Sequence, residues 1–154
     1  MEEINEIFEN IILIPCSGSE YHGELARQVA IRIAERSKIS PLASMMCSTI
    51  FLKNILLGKE NMVEITKNHL KNSYLILING CDIACMSQIY NYLGIKPDLI
   101  ISVQDIIPKQ HMNLKNLEAF KKSPKLSEIK EKDIFKVSSH IIEGLKKHGI
   151  IMRE

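Results

Sequence analysis

The stretch YLILINGC, residues 74–81, decides the fold. Its first five residues form an unbroken apolar run, which is typical of a strand covered on both faces in the middle of a parallel sheet. The glycine that follows the strand permits a tight turn, and a cysteine comes directly after that glycine. We therefore predict a central strand over residues 74–78 that ends in a cysteine-bearing loop.

Two earlier segments repeat this arrangement of an apolar run followed by a cysteine. They are residues 11–15 before Cys16 and residues 42–46 before Cys47. If the runs are parallel strands, Cys16, Cys47 and Cys81 leave the same edge of one sheet, outside the carboxyl ends where open α/β sheets place their sites. Because Cys85 lies only four positions beyond Cys81, we expect all four cysteines to converge in one crevice.

Helical patterns separate the apolar runs, and the alternation defines the fold class. We predict strands over residues 10–15, 39–46, 74–78 and 99–103, and helices over residues 21–36, 49–57, 60–71, 82–93 and 133–148. This order predicts one α/β domain over residues 1–154, with a three-layer Rossmann-like or flavodoxin-like architecture. Its sheet is mainly parallel with about four strands, and a helix closes the C-terminus.

Local signals refine the boundaries of these elements. Ser17 and Glu20 have the spacing of a capping box at the start of the first helix. Gly94 has the position of the residue that ends the helix after Cys85. The Lys-rich segment over residues 108–132, which contains two prolines, is predicted to be a loop or linker.

Composition excludes several functional classes. The 154 residues include 20 basic and 18 acidic side chains and no tryptophan, which gives no basis for nucleic-acid binding. The apolar runs are far shorter than the roughly 20 residues that span a bilayer, and the acidic N-terminus is unlike a secretory signal. We expect a cytoplasmic protein whose thiols stay reduced. Its expected partner is a metal ion, and a homo-oligomer is possible.

Thiols at neighbouring strand ends suit metal binding. Adjacent strands lie about 4.8 Å apart, and tetrahedral zinc places its sulfur ligands roughly 3.8 Å from one another. If a helix begins at Cys81, then Cys81 and Cys85 also share one helix face, and the helix N-terminus favours the thiolate form. The spacing itself is not that of a zinc knuckle, and the simpler interpretation of any single cysteine is a small buried hydrophobe.

Two polar residues close to the cysteines are weaker candidates. His22, near the start of the first helix, could be a metal ligand, a base or an anion contact, although a solvated histidine is the simpler interpretation. Asn79 could orient the loop or hydrogen-bond a sulfur, although a turn residue is the simpler interpretation. Catalytic residues are not assigned, and the question of enzymatic activity stays open.

The loop after Cys16 also invites comparison with tyrosine phosphatases. Low-molecular-weight tyrosine phosphatases and the related arsenate reductases carry a Cys-x5-Arg loop between a strand and a helix N-terminus, where an oxyanion can bind. In this chain His22 stands at the arginine position. Because the oxyanion clamp is missing, the sequence does not satisfy this loop.

An ordered set of motifs resembles the DGC-domain family, which is named for an Asp-Gly-Cys motif. The matching segments are PCSG at residues 15–18, GELARQVA at residues 23–30, Cys47, NGCDIAC at residues 79–85 and GIKPD at residues 94–98. The resemblance covers roughly residues 10–110.

The resemblance implies a zinc site more than it implies a reaction. Members of the family are described as zinc-binding and carry four characteristic cysteines, which correspond here to Cys16, Cys47, Cys81 and Cys85. Asn79 stands where the motif has aspartate, so a carboxylate is lost while all four sulfurs are kept. The alternatives are a redox enzyme or carrier that uses thiol or persulfide chemistry at Cys81 and Cys85, and an iron–sulfur protein.

Overall fold

The computed structural model describes residues 10–16, 18, 20–37, 39, 42–81, 83–108 and 128–149. Its strands are β1 (Asn10–Pro15), β2 (Ala43–Met45), β3 (Ser73–Asn79) and β4 (Leu99–Ser102). Its helices are α1 (Tyr21–Arg36), α2 (Ile50–Leu56), α3 (Glu60–Leu70), α4 (Cys85–Tyr92), α5 (Val103–Ile106) and α6 (Glu131–Lys147). Most of the predicted linker lies outside the described residues.

The four strands form one parallel sheet in the order β2-β1-β3-β4. This finding confirms the predicted α/β class and its flavodoxin-like architecture. From β1 the chain passes through α1 to β2, which forms one edge of the sheet. From β3 it passes through α4 to β4, which forms the opposite edge. The strand order therefore reverses between β1 and β3, and such a switch point opens a crevice at the carboxyl ends of the two strands.

The sheet separates two apolar cores. In β1, Ile11 and Leu13 join the cluster packed with α1 and α6, whereas Ile12 and Ile14 join the cluster packed with α2, α3 and α4. This alternation follows from the two-residue period of a strand. Every residue of β3 is buried, which explains its unbroken apolar run and confirms it as the central strand predicted from sequence.

Several boundaries differ from the predictions for physical reasons. The strand expected over residues 39–46 is limited to Ala43–Met45, because the N–H groups of Leu42 and Ala43 both bond the carbonyl of Ile39 in a turn. Ser17 of the predicted capping box lies outside the described residues, and the N-cap of α1 is Glu20. The short helix α5 directly follows β4 and was not predicted from the sequence.

The α4 region shows one further correction and one agreement. The helix starts at Cys85 because Ala84, its N-cap, has a left-handed backbone with φ of 49°. Its far end agrees with the sequence prediction, since Gly94 has a φ of +70° and follows the last turn. Within the described ranges, no helix combines the length and apolarity that a membrane span requires.

Candidate metal centre

Three of the four cysteines lie just beyond the carboxyl ends of adjacent strands, as the sequence predicted. Cys16 follows β1 directly, and Cys47 and Cys81 lie in the loops after β2 and β3. The Cys16 N–H donates to the carbonyl of Ile78 at 2.8 Å, so Cys16 is fixed against the central strand. The loops that carry Cys16 and Cys81 therefore flank the switch-point crevice.

The four thiols differ in burial. Cys16 is buried and its Sγ accepts a hydrogen bond from the Gly18 N–H at 3.3 Å. Cys81 is partly buried, Cys47 and Cys85 are exposed, and all four are free thiols. The edge of the sheet therefore carries one buried thiol, Cys16, and two thiols that solvent can reach, Cys47 and Cys85.

The loop between Cys81 and Cys85 has a different form from the one predicted. Because α4 begins at Cys85, Cys81 precedes the helix, and the argument that both cysteines share one helix face is wrong. The Ala84 N–H bonds the Cys81 carbonyl at 3.2 Å, which closes a turn between the two cysteines. The left-handed backbone of Ala84 lies in this turn, and such a conformation is strained for any residue with a Cβ.

Cys85 interacts with two other cysteines. Although Cys85 as a whole is exposed, partial burial of its thiol, followed by the negative charges of Cys16 and Cys81, raises the pKa of that thiol above its ordinary value. The backbone N–H groups of Met86 and Cys85 act in the opposite direction. Cys85 thus lies within electrostatic reach of both Cys16 and Cys81, and a negative charge on either of them disfavours the Cys85 thiolate.

Cys47 has a separate environment that favours the thiolate. Its Sγ lies 3.2 Å from the Thr49 hydroxyl. Hydrogen bonds from the Thr49 hydroxyl and the Thr49 N–H lower the pKa of Cys47, burial opposes that shift, and the Lys53 charge supports it. Cys47 is therefore stabilised as an anion by its own helix start, while Cys85 is held towards the neutral form.

Direct backbone packing of three glycines draws the site loops together. A Cβ on Gly23 would lie 2.6 Å from the Gly18 carbonyl oxygen, and a Cβ on Gly80 would lie 2.8 Å from the Gly23 nitrogen. Only residues without a side chain fit at these distances. The loop after Cys16, the start of α1 and the loop before Cys81 therefore meet through their backbones.

Asn79 anchors the site rather than forming a turn. It is the last residue of β3 and is 3% exposed, and its Nδ2 donates to the Ser87 Oγ in α4 at 2.8 Å. Its Oδ1 is buried and has no hydrogen-bond partner among the described residues. The sequence interpretation of Asn79 as a turn residue is therefore wrong, and its tie to α4 gave no signal in the sequence.

His22 is also placed differently from the sequence expectation. Its side chain is buried, and its Nε2 lies 2.7 Å from the carbonyl oxygen of Ile107, beyond α5. Because a carbonyl only accepts, Nε2 carries the hydrogen. The interpretation of His22 as a solvated residue is wrong, and its Nε2 is committed to a backbone contact that joins α1 to the segment after α5.

The donor chemistry fits a metal such as zinc, which readily takes four thiolates. Among the residues that the structure describes, however, no three or more His, Cys, Asp or Glu side chains are grouped closely enough to hold an ion. The cysteines share an edge and an electrostatic neighbourhood, but their side chains are not gathered into a ligand set. A bound ion would therefore require the loops to draw inwards.

An open cavity of about 610 Å³ lies beside α4. Ala84 and Ser87 line it on the helix side, and Lys96, Pro97 and Ile100 line it on the β4 side. It therefore adjoins the turn between Cys81 and Cys85 as well as the anchor formed by Ser87.

The fold and the site together define an α/β protein with cysteines at the ends of three adjacent parallel strands. The chain matches the model of the DGC domain family over residues 12–141 and belongs to that family. The match continues past residue 110, where the resemblance drawn from the sequence ends, and includes much of α6. No curated protein and no solved structure matches the chain.

Proposed function

We propose that this protein binds one zinc ion through the thiolates of Cys16, Cys47, Cys81 and Cys85. The observation that carries the proposal is the placement of Cys16, Cys47 and Cys81 just beyond the carboxyl ends of three adjacent parallel strands, with Cys85 at the start of the helix that follows Cys81. Cys16 and Cys81 flank the switch-point crevice, where ligands of open α/β sheets commonly bind. The family to which the chain belongs is described as zinc-binding, which supports the same function.

Electrostatics explains why a cation suits this edge. Thiolates that lie close together repel one another, so metal-free protein keeps some of these groups protonated. A divalent ion reverses the balance, because coordination deprotonates the thiols and their charges then attract the ion. Cys47 supplies a thiolate already favoured by Thr49 and Lys53.

Metal binding on this scheme is coupled to stability. The described side chains are not gathered into a ligand set, so the ion must draw loops together that are separate without it. Binding to the folded state alone raises stability with the logarithm of the ratio of ion concentration to Kd. A site closed by four cysteines is normally structural, whereas three ligands would leave a position for water or a thiol substrate.

A substitution series tests the proposal. Cys16, Cys47, Cys81 and Cys85 are replaced singly by serine, and zinc affinity is measured by competition with a chromophoric chelator under reducing conditions. Each change should weaken zinc binding, and a chelator should lower the midpoint of thermal unfolding of the parent protein. Ser138→Ala, which keeps every cysteine, serves as the control. If Cys47→Ser binds zinc as the parent does, the ligand set does not include Cys47.

A second candidate, thiol or persulfide exchange between Cys81 and Cys85, is favoured by the turn that connects these two residues. Attack requires a thiolate, and the raised pKa of Cys85 disfavours its thiolate, which suits Cys85 to the role of resolving thiol. With oxidised glutathione as the mild oxidant, the Cys81 thiolate would attack the disulfide and release one glutathione thiolate. Cys85→Ser should then accumulate the mixed disulfide between Cys81 and glutathione, because no Cys85 thiolate remains to displace the bound glutathione. Either function suits the cytoplasm, where thiols stay reduced.

A further inference from the structure

The outer edge of β4 is open. Within the part of the chain that the structure describes, β3 is the only strand beside β4. The Cys16 N–H donates to the Ile78 carbonyl, so the backbone groups of Ile78 face β1 and those of its neighbour Leu77 face β4. Leu77 is paired with Ile100, and in a parallel ladder it bonds the residues on either side of Ile100. The N–H and C=O groups of Ile100 therefore point away from the sheet.

The residue with these outward groups also has an exposed apolar side chain. Ile100 is 53% exposed. Its neighbours Leu99 and Ile101 pack with the core on the α6 side of the sheet, so the Ile100 side chain lies on the α4 face, where it lines the open cavity beside α4. The strand itself contains no charged residue and no proline, which are common protections of an edge against pairing. The edge is therefore suited to pairing with another strand.

Opposite charges lie beyond the two ends of β4. Lys96 precedes the strand, Asp105 follows it in α5, and both residues are exposed. Neither side chain forms an ion pair with another described residue. Asp98, by contrast, accepts the Leu75 N–H at 2.8 Å and is committed within the sheet. If a second β4 lay antiparallel to the first, its Asp105 end would lie beside the Lys96 end of the first strand.

We propose that the open edge of β4 binds β4 of a second copy of this chain, antiparallel to it, about a twofold axis at Ile100. The two Ile100 residues then form a hydrogen-bonded pair, in which the N–H of each donates to the C=O of the other. Their side chains lie opposite each other on the α4 face. The two four-stranded sheets become one continuous sheet.

The order of charges favours a second copy over an unrelated strand. A twofold interface brings the same surface of both copies together, so that surface must complement itself. The β4 edge does so in its backbone groups, in the apolar side chain at its centre and in the reversal of charge from Lys96 to Asp105. Each Lys96 lies towards the partner's Asp105, which gives two ion pairs for each dimer.

This interface is separate from the cysteine site. It lies along the side of the sheet, whereas Cys16, Cys47 and Cys81 lie beyond the carboxyl ends of the strands. The inference goes beyond the proposed zinc binding and does not rest on it. Because one short strand from each copy forms the contact, we expect a weak and reversible dimer.

Ile100→Lys tests the contact at the axis. Sedimentation velocity of the whole chain is measured over a range of concentrations in reducing buffer, which excludes disulfide-linked dimers. The parent should show a reversible monomer–dimer equilibrium, whereas Ile100→Lys should stay monomeric, because two like charges meet at the axis. Ile65→Lys is the matched control, since Ile65 is 60% exposed on α3, and it should associate as the parent does.

Charge reversal tests the antiparallel orientation. Lys96→Glu and Asp105→Lys should each weaken dimerisation about tenfold, because each change disrupts two exposed ion pairs. The double variant should restore the parent affinity, since the pairs form again with their charges exchanged. A double variant as weak as the single ones would overturn the antiparallel arrangement.

Hydrogen exchange of the unmodified protein tests the backbone pairing without any substitution. The Ile100 amide should exchange more slowly at concentrations where the dimer predominates, because its N–H then bonds the partner. The inference is overturned if the parent stays monomeric at every concentration or if exchange of this amide is independent of concentration. A dimer that Ile100→Lys leaves intact and Ile65→Lys dissociates would place the interface on α3 and would also overturn it.

Discussion

The side-chain amide of Asn79 donates a hydrogen bond of 2.8 Å to the hydroxyl of Ser87. This bond ties the last residue of the central strand to the first turn of α4, and the loop from Cys81 to the helix start at Cys85 lies between the two anchors. Where the family motif has aspartate, an asparagine here supplies a donor that a carboxylate lacks. The departure from the motif therefore leaves the loop anchored.

Ser87→Ala should destabilise the protein, because it leaves the buried Asn79 amide without its partner. We expect the free energy of unfolding, measured in urea, to fall by about 1–3 kcal/mol. Ser138→Ala is the control, since the buried Ser138 Oγ has no partner among the described residues. Its removal should be neutral or slightly stabilising, and equal losses in the two variants would show that the Asn79 bond contributes nothing.

Gly80→Ala should disrupt the packing of the site loops. The added Cβ would lie 2.8 Å from the Gly23 nitrogen, a contact that only a backbone shift can relieve. We expect a loss of about 1–3 kcal/mol in unfolding free energy, as in other overpacked sites.

Gly144→Ala in α6 provides the comparison for Gly80→Ala. Its Cβ would meet the flexible Leu99 side chain at 3.3 Å, and alanine gains about 1 kcal/mol of helix propensity over glycine. Its stability should be unchanged or higher. A Gly80 variant as stable as the Gly144 variant would contradict the close backbone packing.

Ala84→Gly should relieve strain in the turn before α4. A left-handed backbone in an L-residue lowers the free energy of unfolding by roughly 1–2 kcal/mol, and glycine removes this strain. Glycine also makes the unfolded chain more flexible, which lowers the free energy of unfolding by roughly 0.4–1 kcal/mol. We expect the free energy of unfolding, measured in urea, to rise by between about 0 and about 1.6 kcal/mol. Ala34→Gly, within α1, should instead lose about 1 kcal/mol. A comparable loss at Ala84 would rule out strain at this position.

Cys47 and Cys85 should differ in reactivity, although both are exposed. Alkylation proceeds through the thiolate, so the lowered pKa of Cys47 gives it the lower pH midpoint and the raised pKa of Cys85 gives it the higher one. Iodoacetamide labelling of metal-free protein across pH, read by peptide mass spectrometry, measures both midpoints in one sample.

A double variant isolates the cause of the Cys85 shift. With Cys16 and Cys81 both replaced by serine, the Cys85 midpoint should fall, because two like charges are removed, while burial still holds it above the ordinary value. A Cys85 midpoint at or below that of Cys47 in the parent protein would contradict the electrostatic description of the site.

The sheet could be predicted from the sequence because buried strands consist of apolar residues. The apolar run of β3 predicted a central strand, and Gly94 predicted the end of α4. Features that depend on distant partners were missed: His22 was expected in solvent because its acceptor, the Ile107 carbonyl, is far along the chain. The start of α4 at Cys85 was missed because nothing in the residue type of Ala84 reveals its left-handed backbone.

The position of the cysteines at the sheet edge could be predicted from the sequence, but the different environments of the individual thiols could not. Three apolar runs followed by cysteines correctly placed Cys16, Cys47 and Cys81 at one edge of the sheet. The separate environment of Cys47 depends on Thr49 and Lys53 in a helix start, and the raised pKa of Cys85 depends on its burial and on the cysteines of other segments. Such relations arise only once the strands are placed side by side.

The metal content of untagged protein purified without oxygen, measured together with its visible absorbance, tests the central claim most directly. The proposed site predicts about one zinc ion per chain, no colour, and loss of the ion in Cys85→Ser. Protein with four titratable thiols and no metal would contradict the claim. Iron with acid-labile sulfide and a brown colour would also contradict it and would assign the cysteines to a cluster.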